Sequence, residues 1–160
     1  ARMVDVGYAH SVAADTAGLA GASVALSFIF WGSMSDRIGR HVAYLLGGLS
    51  LTVATALLLL LPAFFPRRLP LYLYALFWGV GEGSCTSLLT AMAADLFPGA
   101  ALGTIIGTMS AAFAVGAAVG SWFGGFGADY WGSYTVPFAV AIMSTLVSIV
   151  IVQRLAHRKL

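Results

Sequence analysis

Gly32-Ser33-Met34-Ser35-Asp36-Arg37-Ile38-Gly39-Arg40-His41 is a short charged break between two long uncharged runs. Thr16 to Ser35 before it and Val42 to Pro66 after it hold no Asp, Glu, Lys or Arg. A bilayer core takes roughly 20 mainly apolar residues per helix, at about 1.5 Å of rise each. The alternation continues along the chain. Pro70 to Ala94 holds one charge, Glu82, and is followed by Asp95; Leu96 to Ala128 is uncharged and is followed by Asp129. Tyr130 to Gln153 is uncharged, and Arg154, His157, Arg158 and Lys159 close the chain. The pattern predicts an all-α integral membrane fold with five transmembrane helices, near 11–35, 42–65, 70–95, 99–128 and 134–154. Residues 1–10 read as the remnant of a loop entering the first helix, with earlier chain missing, and 11–160 as one membrane domain.

Composition supports lipid as the solvent. The chain is 60% hydrophobic and 9% charged, with a mean hydropathy of +0.93. Soluble domains carry about 25% charged residues, because they must face water. A net charge of +2 with no basic run gives no reason to expect nucleic acid as a partner. The single cysteine, Cys85, excludes a disulfide framework and a multi-cysteine metal site.

Punctuation agrees with five spans. Ser11 is placed to cap the first helix, with Asp15 in its first turns. Pro62 and Pro66 end the second apolar run, Pro70 suits the opening turn of the third helix, and Pro98-Gly99 breaks the third from the fourth. Gly132-Ser133 separates the fourth from the fifth. Trp31, Tyr44, Tyr72, Tyr74, Tyr130, Trp131 and Tyr134 fall at expected membrane–water interfaces, where aromatics with a polar edge collect. One side of the membrane receives Arg37, Arg40, Arg154, Arg158 and Lys159, and the other Arg2, Arg67 and Arg68. The excess of positive charge predicts that the first side, with the C-terminus, is cytoplasmic.

Within the quoted stretch, Gly39 permits a tight turn, and Asp36 can accept charge-assisted hydrogen bonds from Arg37 or Arg40. A pair made in one conformation and broken in another is what a gate requires, whereas the same charges could also serve as a plain positive-inside anchor. The spacing Gly-x-x-x-Asp-Arg-x-Gly-Arg, on Gly32, Asp36, Arg37, Gly39 and Arg40, resembles the signature loop of the major facilitator superfamily. There it joins helices two and three, and again helices eight and nine. Ala94-Asp95-Leu96-Phe97-Pro98, then Leu102-Gly103-Thr104-Ile105-Ile106-Gly107, then Gly132-Ser133-Tyr134 are similar to helices ten to twelve of the branch holding monocarboxylate and oxalate/formate carriers. The resemblance spans about Gly7 to Val152. It implies that 11–160 is a C-terminal transporter half-domain, helices eight to twelve of a twelve-helix bundle, with the N-terminal half missing. It further implies secondary active transport of a small solute by alternating access, from a plasma (cell inner) membrane, with no enzymatic activity and no cofactor. A receptor-like or assembly subunit reusing the fold without transport is the alternative.

Two departures bear on substrate. Carriers of that branch often hold a Gly-Arg pair in helix eight for an anion; here Ser27 and Phe28 stand in those positions. An arginine often follows their Asp-Leu-Phe-Pro stretch; here it is Gly99-Ala100-Ala101.

Glu82 is the one ionisable residue inside a span, at mid-membrane depth, where a charge costs about 2.5–3.5 kcal/mol on insertion scales. With Ser84, Thr86 and Ser87 it forms a candidate coupling or substrate site, a proton being the candidate ion; structural glue between helices is the plain reading. Gly79, Gly81 and Gly83 beside it suit close helix contact or local bending. Gly116, Gly120 and Gly124 lie along one face of the fourth span and are expected to pack against another helix. That stretch is also similar to the glycine motif of antiporter helix five, with Ser121 at the proline position. No catalytic constellation and no metal site can be assembled from His10, His41, His157 and Cys85.

Overall fold

The computed structural model describes residues 2–159, with side chains for 3–155. His157, Arg158 and Lys159 of the expected cytoplasmic tail have side chains outside that range. The described residues form seven helices and no strand: α1 (Arg2–Asp5), α2 (His10–Ile38), α3 (Arg40–Leu59), α4 (Leu61–Phe64), α5 (Leu69–Leu96), α6 (Leu102–Trp131) and α7 (Thr135–Lys159). The five long helices correspond to the five expected spans.

Several boundaries differ from the expectation. The predicted loop at Asp36–His41 contracts to one residue: α2 runs through Ile38, α3 starts at Arg40, and Gly39 alone separates them. Its φ of 89° and ψ of 140° lie where side chains with a Cβ are strained. The second span stops at Leu59, and α4, with Pro62 in its first turn, forms a separate turn before α5. Ser11 is not the cap: α2 begins at His10, behind Ala9, with no side-chain cap. Part of the expected 1–10 loop is helical, as α1.

The chain folds up and down, and its contacts sort by end. At one end, Arg40 meets Asp95, and Gln153 Nε2 donates to the His41 carbonyl at 2.7 Å. At the other, the Tyr8 hydroxyl donates to the Arg67 carbonyl at 2.7 Å, and that of Tyr134 donates to Asp5 Oδ2 at 2.9 Å. Burial raises the Tyr8 hydroxyl above the ordinary phenol pKa. These two ends are the two sides inferred from charge.

α5 lies between α2 and α3, and glycines make that possible. A Cβ on Gly79 or Gly83 would collide with Ser23 or Ser27 of α2, and one on Gly81 would meet Leu51 and the Gly47 backbone of α3. Gly47 in turn has no room beside Ser84, nor Gly48 beside Ile149 of α7. Backbones at this separation gain dispersion contacts, the main driving force for helix association in lipid. α2, α3, α6 and Thr135–Leu155 of α7 are each long and apolar enough to cross a membrane. α5 has the length, 28 residues, but Glu82, its hydroxyls and its glycines make it less apolar. Flanked on two sides by protein, it needs less lipid compatibility than the others.

Trp31 and Tyr44 correct the expectation of interface anchors. Both are buried, at 5% and 4% exposure, in a cluster with Ala43, Leu88 and Ile149. Trp31 Nε1 donates to the Val80 carbonyl at 3.0 Å, and the Tyr44 hydroxyl bonds that of Ser148 at 2.6 Å, so each polar edge is satisfied inside. At the end of α6, Trp122, Phe126 and Tyr130 stack in succession on an exposed face, as an interfacial belt requires.

Candidate functional site

The Asp36–Arg40–Asp95 cluster is built by helix ends. Asp36 lies in the last turn of α2, where the helix dipole disfavours a carboxylate. Arg40, four residues on across the Gly39 break, supplies the compensating charge: its guanidinium is 3.5 Å from Asp36 Oδ1. α5 runs antiparallel to α3, so Asp95 in the final turn of α5 arrives at the start of α3. Arg40 Nε pairs with Asp95 Oδ2, and its terminal nitrogen lies 3.5 Å from Oδ1. The junction itself is held by buried Ser35, whose carbonyl accepts the Gly39 N–H at 3.0 Å. Arg37 lines a small surface pocket of about 190 Å³ with Phe30, Ser33 and Met34. Gly32 has open space around its α-carbon.

Arg40 is half-buried, whereas Asp36 and Asp95 are exposed at 66% and 53%. Pairs so open to water stabilise a fold by about 0–1 kcal/mol. Their chemical use is conditional attraction: the three charges meet only while the α2–α3 junction abuts the end of α5. Sequence reasoning found Asp36 and Arg40 but gave Asp95 no partner. The available signal was that Asp95 and the Gly32–Arg40 stretch fall on the same side of the membrane.

The mid-membrane group is divided. Thr86 Oγ1 donates to Glu82 Oε1 at 3.3 Å, with Glu82 half-buried. Ser84 is fully buried elsewhere, donating to the Ala43 carbonyl of α3 at 3.1 Å. Ser87 returns its hydroxyl to the Gly83 carbonyl of its own helix at 2.7 Å. The structure therefore brings Glu82 and Thr86 together and gives Ser84 to helix packing. Ser27 is buried and Phe28 is apolar, so α2 offers no cation at the positions compared with the anion carriers.

Gly116, Gly120 and Gly124 do not meet another helix among the described residues: a Cβ on any of them would have nothing within 4 Å. The close glycine contacts occur instead at Gly47, Gly48, Gly79, Gly81 and Gly83. Gly47-Gly48 was missed, because two adjacent glycines in an apolar run carry no helical periodicity. No group of three His, Cys, Asp or Glu able to hold a metal occurs among the described residues.

A bundle of long apolar helices, with a charged junction at one end and Glu82 hydrogen-bonded to Thr86 in the helix held between α2 and α3, defines a polytopic membrane protein of the transporter class. A profile described as the Major Facilitator Superfamily matches residues 3–159, and the chain belongs to that family. No curated protein and no solved structure gives a significant match.

Proposed function

We propose that this protein is a secondary active carrier of a small solute, working by alternating access with Asp36, Arg40 and Asp95 as a latch on the cytoplasmic side. The observation that carries the reading is Arg40 bridging carboxylates from two different helices. Rocking of half-bundles about a midplane site opens one side while closing the other, and open, weak ion pairs at one end suit repeated making and breaking. Arg37 and Gly32 complete the motif; Gly39 sets the angle at which Asp36 and Arg40 face α5. Residues 11–160 fit helices eight to twelve of the twelve-helix bundle, within a plasma membrane and with the C-terminus cytoplasmic.

Glu82 with Thr86 is the proposed coupling group, with a proton as the ion. Order along the chain favours the monocarboxylate and oxalate/formate branch, while Ser27 and Phe28 favour a substrate whose anionic charge, if it has one, is met elsewhere. The test is uptake of a panel of neutral and carboxylate solutes by the full-length protein in proteoliposomes. Saturable uptake of one member, lost in Asp36→Ala and Asp95→Ala, supports the carrier. Binding of solutes with no flux in the unmodified protein identifies a receptor-like subunit and rejects transport.

A further inference from the structure

α5 carries a stripe that its neighbours leave uncovered. Gly79 and Gly83 face α2, and Gly81 and Ser84 face α3. Tyr74, Trp78, Glu82, Thr86 and Thr90 follow one another at intervals of four, on the remaining side. Thr86 and Thr90 are exposed, and the other three are half-buried. The stripe is about 24 Å long at 1.5 Å per residue, most of the thickness of a bilayer core. A carboxylate midway along it belongs beside water or a polar partner, not lipid.

The stripe carries charge of one sign. Glu82 is the one charged residue between Pro70 and Ala94, whereas Arg37, Arg40, Arg67, Arg68 and Arg154 lie at the two ends of the bundle. Thr86 donates to Glu82 Oε1 at 3.3 Å, and Oε2 has no hydrogen-bond partner among the described residues. Trp78, one turn before Glu82, also has no partner among them for its indole N–H. It comes nine residues after Leu69, where α5 starts, and so about 14 Å into the span. That is too deep for an interfacial belt, which sits at headgroup level.

A carboxylate and an aromatic face together hold an ammonium group. The carboxylate supplies the opposite charge, and the ring quadrupole attracts a cation within about 6 Å of its centre. Spacing of four on a helix puts the β-carbons of Trp78 and Glu82 about 5–6 Å apart, so one small cation can touch both. An anion would meet Glu82 with no arginine at its depth. A hard metal cation needs about six oxygen ligands, and Glu82 with Thr86 offers too few.

We propose that this side of α5 lines a polar cavity and binds a solute bearing an ammonium group, with Glu82 as its counter-charge and Trp78 as the aromatic wall against it. The inference rests on reading Glu82 as the site of a carrier, and it adds the substrate class. Depth selects a dissolved solute over the ammonium of a lipid headgroup, which stays at the membrane surface. It also accounts for Ser27 and Phe28, since an ammonium needs no cation from α2.

The test is ligand-induced stabilisation of the full-length protein in nanodiscs. Choline, tetraethylammonium, benzyltrimethylammonium and putrescine are set against the uncharged isostere of choline, in which carbon replaces nitrogen, and against acetate, lactate and oxalate. At least one ammonium is expected to raise the melting midpoint by several degrees, with the isostere and the carboxylates inert. Glu82→Gln is expected to abolish the shift and Glu82→Asp to keep part of it. Trp78→Leu is expected to weaken apparent affinity about five-fold or more, and Trp78→Tyr to recover most of it. A shift that survives Glu82→Gln, a response confined to the carboxylates or the isostere, or no response to any ammonium overturns the proposal. Unchanged affinity in Trp78→Leu overturns it too, whether or not Glu82→Gln folds. Uptake into proteoliposomes separates this inference from the carrier reading. An ammonium that binds without flux keeps the site and rejects the carrier, whereas uptake of carboxylates alone keeps the carrier and rejects the site.

Discussion

Gly39 and Arg40 show how two adjacent residues turn a helix break into a charge switch. The backbone at Gly39, with φ 89° and ψ 140°, excludes a Cβ without strain. Gly39→Ala is expected to cost about 1–3 kcal/mol, read as a lowered melting midpoint in detergent. Arg40 is used for its fork, since one guanidinium reaches Asp36 and Asp95 together. Arg40→Lys is therefore expected to change stability by less than about 1 kcal/mol while cutting uptake several-fold. The exchange Arg40→Asp with Asp95→Arg should recover part of the flux; no recovery would mean that the pair is not the latch. Glu82→Gln addresses the other candidate: uptake whose pH dependence is unchanged would remove proton coupling from this residue. The identity of Asp36, Arg40 and Glu82 as candidates was legible from charge in an uncharged background. That Asp95 joins Arg40, and that Ser84 leaves Glu82 for α3, depends on how two helices are rotated about their axes, which a list of residue types does not state.

At the scale of the element, α5 is held by absent side chains. Gly79, Gly81 and Gly83 let α2 and α3 approach its backbone, and Ser50 and Ser84 fasten it with hydrogen bonds to carbonyls of the facing helix. Gly83→Val is expected to destabilise by about 1–3 kcal/mol, because the added methyls enter space already held by Ser27 and Val24. Gly18→Ala on α2, with nothing within 4 Å, should be neutral or gain up to about 1 kcal/mol from helix propensity. Equal losses at the two glycines would refute close packing as the role of Gly83. The lengths of α2, α3, α5, α6 and α7 were readable from spacing between charges, within a few residues. Their ends were less so: the notion of a charged loop at Asp36–His41 failed because one glycine is enough to redirect a chain whose flanking backbone stays helical.

For the whole molecule, the sorting of contacts into two ends makes a directional prediction. In a Cys85→Ser background, cysteine placed at Ala100 should react with an impermeant thiol reagent only from the cytoplasmic side, and cysteine at Arg68 only from the opposite side. The reverse pattern would invert the topology inferred from positive charge. The sequence by itself determined that this chain is a membrane protein, how many long helices it has, and which charges sit together at each end. Those properties follow from segment length and from the cost of placing charge in lipid, and both are sums along the chain. Only the tertiary structure decided that Trp31 and Tyr44 are core, that Arg40 reaches Asp95, and that Gly79 and Gly83 are packed while Gly116 and Gly120 lie open. The physical reason is that in lipid both faces of a helix can be apolar, so composition does not say which face meets protein. Backbone approach decides it, helix against helix.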